Sequence, residues 1–225
     1  MSAPPAVKAA VLAGGPDEAG APLRAALADV DLVVAADGGV ALADALGLTP
    51  DLWVGDFDST SDEQRGAHPA LPRLEYPRDK DELDLELAVQ AAVDRGAREL
   101  VLAGVFGGRL DQTLAALLIG ARLRREGVDV RLFGGPHEVR PLVAGDSVEL
   151  TLPDATLFSL LALDGDAVVD VLGARFELAS ARLAFGVGLG VSNQASATPG
   201  LPGGPRITVR SGTVAVVVEW GEALP

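Results

Sequence analysis

The sequence predicts a two-domain protein, with an N-terminal, mainly parallel three-layer α/β domain (1–136) followed by a C-terminal β-sandwich domain (137–225). Short apolar runs alternate with helix-like stretches as far as Gly134-Gly135-Pro136, which is typical of a parallel sheet covered by helices on both faces. Beyond that point helical periodicity disappears, and β-rich runs are separated by turn residues, as in sandwiches. A chain of 225 residues is long enough for two modest domains.

Apolar runs bounded by turn residues predict six strands in the first domain. In chain order these are Val7–Leu12, Leu32–Ala36, Leu52–Val54, Leu74–Tyr76, Leu100–Ala103 and Val128–Phe133. Helix-like stretches lie between the strands, and helical spacing of apolar residues is clearest at Asp81–Asp94 and Leu110–Arg125. Alternation of this kind predicts that neighbouring strands run parallel.

The second half of the chain predicts strands without helices. The expected strands are Val139–Val143, Ser147–Leu152, Leu157–Leu163, Ala167–Leu172, Phe176–Phe185, Ile207–Arg210 and Val214–Trp220. The Pro- and Gly-rich run Ala197–Pro205 predicts a mobile loop inside this domain.

Composition excludes several classes of site. The chain has no cysteine, which rules out disulfides, thiolate metal sites and a cysteine nucleophile. With only His68 and His137 available, a Ser-His-Asp triad or a histidine-rich zinc site is disfavoured. The formal charge of −14 argues against nucleic-acid binding, but a small anionic substrate could still bind through a bridging cation.

Neither a membrane span nor a secretion signal is predicted. No apolar run approaches the length needed to cross a bilayer, and Met1–Pro5 lacks a basic region followed by an apolar core. We therefore expect a cytoplasmic protein.

Glycine and aspartate recur after the predicted strands of the first domain. Four loops carry them: Gly14-Gly15, Asp37-Gly38-Gly39, Gly55-Asp56-Phe57-Asp58-Ser59, and Gly104 with Gly107-Gly108-Arg109-Leu110-Asp111. Each loop alone could be an ordinary turn or helix cap. Because ligands of open parallel sheets bind at the carboxyl ends of the strands, four such loops on one rim predict a binding site there.

Asp56 and Asp58 are the strongest candidates for chemistry. They stand one residue apart after an apolar strand, so a bent loop can aim both carboxylates at one hard cation. Asp81 and Asp84 have the spacing of one helix face and could complete the ligation, with Lys80 near a phosphate. These charges could equally form a solvated helix N-terminus. Neither a Walker loop nor a Gly-x-Gly-x-x-Gly turn is present, so we expect a magnesium-dependent, phosphate-transferring enzyme of another kind.

These motifs, taken in order over nearly the whole chain, resemble the thiamine pyrophosphokinase family. The matching blocks are Ala36-Asp37-Gly38-Gly39, Pro50-Asp51 with Gly55-Asp56-Phe57-Asp58-Ser59, Lys80-Asp81 with Asp84, Gly107-Gly108-Arg109-Leu110-Asp111-Gln112, and Gly190-Val191-Ser192-Asn193. The Gly-Asp-Phe-Asp-Ser block is the most specific of them.

The resemblance implies an activity, its cofactors and an assembly. It implies Mg²⁺-dependent transfer of a diphosphoryl group from ATP to the hydroxyl of thiamine, giving thiamine diphosphate and AMP. It also implies a nucleotide- and metal-binding α/β domain, a thiamine-binding and dimerisation β-sandwich domain, and a homodimer with thiamine sites between subunits.

Roles for individual residues follow from the same resemblance. It implies metal ligation by Asp56, Asp58 and Asp84, and it makes Lys80, Asp81 and Arg109 further catalytic candidates. It implies substrate or nucleotide binding by the remaining motif residues, namely Asp37, Gly38, Asp111, Gln112, Ser192 and Asn193.

The chain departs from the family pattern at three positions. Leu83 stands where Thr is frequent, Gln112 where bacterial members often have His, and Gln194 where Glu often follows Ser-Asn.

Three other functions remain open. A related diphosphokinase could act on another small alcohol, and a non-catalytic module could bind nucleotide or thiamine. Asp56-Phe57-Asp58-Ser59-Thr60 also resembles the signature of haloacid-dehalogenase-like phosphatases, with Asp56 as nucleophile. That signature normally closes the first strand of its domain, whereas two strand–helix units precede it here.

Overall fold

The computed structural model describes residues 6–15, 20–58, 60–196 and 204–221. Ser59 and residues 197–203, the larger part of the predicted mobile loop, lie outside the described residues. The chain forms two compact units, one comprising residues 1–119 and 126–135 and the other residues 120–125 and 136–225.

The first unit alternates strands and helices. Its strands are β1 (Val7–Leu12), β2 (Leu32–Ala36), β3 (Leu52–Gly55), β4 (Arg73–Glu75), β5 (Ala97–Ala103) and β6 (Asp129–Gly134). Its helices are α1 (Ala21–Leu27), α2 (Gly39–Leu46), α3 (Asp62–Ala67), α4 (Asp84–Asp94) and α5 (Leu110–Arg125), although residues 120–125 at the end of α5 count with the second unit.

These strands form a parallel sheet in the order β6-β5-β1-β2-β3-β4. The chain builds outward from β1 to β4 and then returns to place β5 on the other side of β1. The order therefore reverses between β1 and β5, and such a reversal opens a crevice beyond the carboxyl ends of the strands.

Both faces of this sheet are covered, as the near-continuous apolar strands predict. All four residues of Ala9–Leu12 in β1 are fully buried, although successive side chains point to opposite faces. Leu23 of α1 and Leu42 of α2 join one core cluster with Leu12, while α4 packs along β1, β2, β3 and β5. The sheet and its helices thus form the predicted three layers.

One predicted helix start is wrong. The sequence pattern places Asp81 in the helix, but α4 begins at Asp84, and Leu83 before it has an extended backbone (φ −73°, ψ 149°). The Leu83 N–H donates to the Glu86 carboxylate at 3.2 Å. This bond caps the helix at Leu83, so that α4 starts three residues after the predicted start at Asp81. Asp81 and Asp84 therefore do not share a helix face.

The described part of the second unit contains eight strands. They are β7 (His137–Val143), β8 (Ser147–Glu149), β9 (Leu157–Ala162), β10 (Ala167–Leu172), β11 (Leu178–Leu183), β12 (Asn193–Gln194), β13 (Arg206–Ser211) and β14 (Thr213–Glu219). The predicted strand Phe176–Phe185 is shorter than expected, and β12 is a short strand that the sequence pattern did not predict.

These strands pair antiparallel in two sets, β7-β14-β9-β12 and β11-β10-β13-β8. Apolar residues of both sets, including Phe158 of β9, Val169 of β10 and Val216 of β14, share one buried cluster. Two sheets facing a common core make a sandwich. The predicted fold class, an α/β domain followed by a β-sandwich domain, is therefore confirmed. No helix among the described residues is both long and apolar enough to span a bilayer.

Candidate active site

A cleft of about 590 Å³ lies in the first unit, where the loops after β1, β2, β3 and β5 meet. Its walls also include the approach to α4 and the first two turns of α5. This is the crevice that the reversal of strand order creates. Seven of the predicted catalytic, binding and metal-ligating residues line it, namely Asp37, Gly38, Asp56, Lys80, Asp84, Arg109 and Gln112.

Close backbone packing forms the floor of the cleft. Gly15 donates its N–H to the Gly104 carbonyl at 3.0 Å, and a Cβ on Gly15 would lie only 2.2 Å from that oxygen. A side chain at this position would therefore push apart the loops that follow β1 and β5. Five glycines are among the lining residues, namely Gly14, Gly15, Gly38, Gly104 and Gly108.

Lys80 lies between two carboxylates on the cleft wall. Its Nζ is 2.9 Å from Oδ1 of Asp84, the first residue of α4, and 3.6 Å from Oδ2 of Asp56, which directly follows β3. Burial acts to lower the pKa of Lys80, but the neighbouring charges of Asp84 and Asp56 outweigh it and hold the pKa above its ordinary 10.5. Lys80 is therefore a fixed positive charge at neutral pH.

Asp56 is fixed by its own loop. The Asp58 backbone N–H donates to Asp56 Oδ1 at 3.0 Å. This bond, aided by the charge of Lys80 and opposed by desolvation, holds the pKa of Asp56 below its ordinary 3.8. Asp56 is therefore ionised over the whole physiological range.

Asp58 pairs with Arg78. Its carboxylate receives the Arg78 guanidinium, with Arg78 Nε at 2.8 Å, and both side chains are exposed. Asp58 does not line the cleft, whereas Arg78 does. In this arrangement Asp58 orients a cation that faces the cleft.

Arg109 and Asp111 repeat the same arrangement at the start of α5. Arg109 Nη2 donates to Asp111 Oδ2 at 2.6 Å and its Nε to Oδ1 at 3.1 Å. This hydrogen-bonded pairing holds the pKa of Asp111 below its ordinary value. Arg109 and Gln112 line the cleft, whereas Asp111 lies outside its lining. Exposed Asp81 likewise does not contribute to the lining.

Asp37 is held in a rare backbone conformation after β2. Its φ is 43°, in the left-handed region that non-glycine residues seldom adopt. Thr60 Oγ1 donates to the Asp37 carboxylate at 3.2 Å. The Asp37 side chain therefore has a defined direction at the edge of the cleft.

Ser192 and Asn193 belong to the second unit. Asn193 is 5 % exposed, and its amide is occupied internally, with Oδ1 accepting the Phe176 N–H at 3.1 Å and Nδ2 donating to the Phe176 carbonyl at 2.8 Å. Ser192 is exposed and has a left-handed backbone with φ 60°. Asn193 thus holds the chain around Phe176, while Ser192 presents its hydroxyl at the surface.

The cleft fits a magnesium ion shared with a phosphate ligand better than a closed protein cage. No cluster of three or more carboxylate or imidazole side chains suited to a metal occurs in the described part of the chain. Asp84 Oδ1 is nevertheless a buried acceptor without a properly angled hydrogen bond, and Asp56 lies on the other side of Lys80. Magnesium commonly takes one or two protein carboxylates together with substrate phosphates and water, which suits this donor set.

Several cleft residues were not predicted from the sequence. Glu82, Thr113 and Ala116 line the cleft but were not among the predicted site residues. Helical spacing offered a signal for two of them, because residues 112, 113 and 116 fall on one side of a helix that begins at Leu110. No comparable signal marked Glu82, which lies in the irregular segment before α4.

Comparisons with known proteins agree with this architecture. Residues 23–132 match the family model of the thiamin pyrophosphokinase catalytic domain. The thiamine pyrophosphokinase of Bacillus subtilis is 27 % identical over 188 residues, which span 82 % of this chain and 87 % of the relative.

Solved structures share the fold. A thiamine pyrophosphokinase structure from Bacillus subtilis superposes with a TM-score of 0.81 at 21 % identity, covering 95 % of this chain and 99 % of the other. A thiamin pyrophosphokinase family protein from Enterococcus faecalis gives 0.78 at 24 % identity, covering 96 % and 100 %. In sequence and in fold, the chain is therefore similar to the thiamine pyrophosphokinase family.

Proposed function

We propose that this protein is a thiamine diphosphokinase, which transfers a diphosphoryl group from ATP to the hydroxyl of thiamine and releases thiamine diphosphate and AMP. The observation that carries the proposal is Lys80 held between Asp56 and Asp84 in a glycine-floored cleft. All three residues lie inside the segment that matches the family's catalytic domain.

The charges of the cleft explain why the reaction would require a metal. Its lining carries four carboxylates, on Asp37, Asp56, Glu82 and Asp84, against three cations, on Arg78, Lys80 and Arg109. A triphosphate entering this cleft would be repelled unless a further cation joined it. Mg²⁺ held by Asp56 and Asp84, with Asp58 recruited from Arg78, would supply that charge and polarise the phosphate oxygens.

The remaining residues position and neutralise the substrates. The thiamine oxygen forms a bond to the β-phosphorus, the bond from that phosphorus to the oxygen bridging the α-phosphorus breaks, AMP leaves with that oxygen, and the hydroxyl proton is released to solvent. Lys80 and Arg109 offer fixed positive charge to the transferred group, and Asp111 orients Arg109.

Other motif residues are proposed to bind the substrates. Asp37, Gly38 and Gln112 line the cleft and would contact the nucleotide, and Asp81, in the segment before α4, is proposed to join them. Ser192 and Asn193 are proposed to contribute to thiamine binding from the second unit.

The second unit is also proposed to form the homodimer. Four exposed apolar side chains precede Ser192, namely Phe185, Val187, Leu189 and Val191. A run of exposed apolar residues of this kind is typical of a binding or subunit surface. A cytoplasmic location is proposed with it, because the reaction consumes ATP.

The direct test is release of AMP from ATP by the purified protein, with and without Mg²⁺, using thiamine and a panel of other small alcohols. We expect AMP only when thiamine and Mg²⁺ are both present, and Asp56→Asn should reduce turnover by at least about 100-fold. Asp94→Asn is the matched control, because Asp94 ends α4 away from the cleft.

The alternative functions give different results in the same assay. AMP release with another alcohol in place of thiamine would identify a related diphosphokinase. Phosphate release through a phosphoryl-aspartate would indicate a phosphatase, and tight ATP binding without turnover would indicate a non-catalytic module. Near-normal turnover of Asp56→Asn would contradict the metal assignment.

A further inference from the structure

Two cleft loops turn on strained residues. Asp37 (φ 43°) follows β2, and Phe57 (φ 60°) separates Asp56 from Asp58 after β3. Left-handed backbone is costly for residues other than glycine and persists where surrounding contacts hold it. Contacts that hold these two residues therefore control where the loop carboxylates point.

The carbonyl of Phe57 is held by Arg65. Arg65 Nη2 from α3 donates to Phe57 O at 2.5 Å, and its guanidinium lies 5.6 Å from the centre of the Phe57 ring. Arg65 thus contacts both the backbone and the side chain of the strained residue. Arg65 lies outside every block of the family resemblance.

The carbonyl of Asp37 is held in the same way by Trp53. The indole Nε1 of this fully buried β3 residue donates to Asp37 O at 2.7 Å. The same indole ring packs edge-on against the Phe57 ring, with centroids 5.0 Å apart. The two strained residues are therefore held by side chains that belong to one packed cluster.

One nitrogen of the Arg65 guanidinium has no hydrogen-bond partner, which indicates that this group is not kept for stability alone. Arg65 Nε is buried and has no hydrogen-bond partner. An unsatisfied buried donor is destabilising, and replacing such a group with an apolar side chain of similar length is often neutral. We call the hydrogen bonds from Arg65 to Phe57 O and from Trp53 to Asp37 O clamps. The clamp on Phe57 gives a reason why a cation is kept at position 65.

We propose that Arg65 and Trp53 are positioning residues, which lock the loops of Asp56–Asp58 and Asp37 by hydrogen bonds to the carbonyls of their left-handed residues. The link from these loops to catalysis rests on the proposed function. The clamps themselves do not, because they can be measured in the ligand-free protein.

The first experiment is hydrogen–deuterium exchange of ligand-free protein for Arg65→Met, Arg65→Lys and Trp53→Phe. The Asp58 N–H donates to the Asp56 carboxylate and the Thr60 N–H donates to Phe57 O. The exchange rates of amides 56–60 therefore report how often this loop opens. We expect these amides to exchange about tenfold faster in Arg65→Met, because one charge-assisted hydrogen bond is lost. Trp53→Phe should raise the exchange rate most at the Asp37 amide. In Arg65→Lys, which keeps a donor, the exchange rates of amides 56–60 should lie between those of Arg65→Met and the wild type.

Arg95→Met is the matched control. Arg95 Nη1 also donates to a backbone carbonyl, that of Ala91 at 2.8 Å, but it does so at the end of α4. This variant should leave exchange at residues 56–60 unchanged. Unchanged exchange at these residues in Arg65→Met, or a uniform rise across the first unit, would overturn the proposal.

The second experiment measures binding rather than turnover. Calorimetric titration of Mg²⁺ into protein with ATP should show that Arg65→Met binds Mg²⁺ about tenfold more weakly than the wild type and that Arg65→Lys partly restores this affinity. The thermal midpoint of Arg65→Met should be nearly unchanged. Loss of affinity that follows loss of thermal stability would instead assign Arg65 a purely structural role. If wild-type protein binds Mg²⁺ and ATP but does not act on thiamine, the proposed function fails while the clamp remains testable.

Discussion

Lys80 compensates the charges of two carboxylates in the cleft lining, those of Asp56 and Asp84. Its side chain is 10 % exposed, and those of Asp56 and Asp84 are 12 % and 27 % exposed. Like charges this poorly solvated repel strongly unless a cation stands between them. In the proposed function, the same ammonium would be available to phosphate oxygens once a metal took over its carboxylates.

Replacing this lysine should separate its structural and catalytic effects. We expect Lys80→Met to reduce kcat by about 100- to 1,000-fold, the usual cost of losing one donor to developing charge, and to lower the thermal midpoint. In the double variant Lys80→Met/Asp84→Asn the midpoint should partly recover because one of the two uncompensated carboxylates is gone, while activity should not. Recovery of both properties would show that Lys80 has no role beyond stability. Calorimetry and AMP release check the two outcomes.

Asp111 should act only through Arg109. Because the pair is exposed, we expect Asp111→Asn to raise KM for ATP by about two- to fivefold, with little change in kcat. Steady-state kinetics measures KM for ATP and kcat separately, with Asp94→Asn as the control. A large fall in kcat would mean that Asp111 itself contacts the reacting groups.

For individual residues, the sequence predicted that Asp37, Asp56, Lys80 and Asp84 lie around one rim, but it did not predict which partner each residue selects. Asp37, Asp56, Lys80 and Asp84 reach one cleft because strand-end loops meet on one rim. Asp58, next to Asp56 in the same motif, instead contacts Arg78. A spacing of two residues fixes how close two carboxylates are, whereas the choice of partner depends on cations from a distant segment.

Among the elements, α4 shows where local pattern was insufficient. The charged run before Asp84 has helical spacing, yet the helix starts later because the Glu86 carboxylate accepts the Leu83 N–H. Lys80 consequently lies on an irregular segment, from which its ammonium reaches Asp56 as well as Asp84. A helix starting at Asp81 would have presented these residues differently.

The junction of β1 and α2 should tolerate no side chain at Gly39. A Cβ there would lie 1.9 Å from the Leu12 carbonyl oxygen, and backbone cannot move aside cheaply. We expect Gly39→Ala to lower the free energy of unfolding by about 1–3 kcal/mol.

Gly66→Ala is the matched control for Gly39→Ala. Gly66 lies within α3, and an added Cβ would meet nothing within 4 Å. Alanine is the better helix former, so this variant should be more stable by about 0.5–1 kcal/mol. Urea unfolding of both variants tests the pair, and equal effects would contradict the close approach at Gly39.

Over the whole molecule, the division into two units cuts through α5. Residues 120–125 count with the second unit, where Arg124 Nε donates to Asp146 at 2.7 Å and Arg125 Nη2 to Thr213 Oγ1 at 3.0 Å. Periodicity predicted this helix as one element. Nothing in its sequence indicated that its last turn would be held by the β-sandwich unit.

This attachment should make stability depend on pH. Burial acts to raise the pKa of Asp146, but the hydrogen bonds from Arg124 and the Val143 N–H, with the Arg124 charge, outweigh it and hold the pKa below its ordinary 3.8. The contribution to stability is therefore complete above pH 3.8 and is lost as pH falls through the lower, folded-state value.

Asp146→Asn tests this dependence. We expect the variant to be less stable than wild type at pH 7, with the difference shrinking as pH falls below 3.8. Urea unfolding between pH 2 and 7 measures it, with exposed Asp129→Asn on β6 as the control. A difference independent of pH would exclude the ion pair as its cause.

The sequence by itself determined the fold class, most of the strand positions and the loops that carry the candidate chemistry, because apolar periodicity and turn residues act over short distances. Only the tertiary structure decided that Lys80 lies between Asp56 and Asp84, that Asp58 pairs with Arg78, and that Trp53 and Arg65 hold the strained loops. Each of these contacts joins segments whose separation in space depends on how strands and helices pack. Local pattern carries no information about that distance.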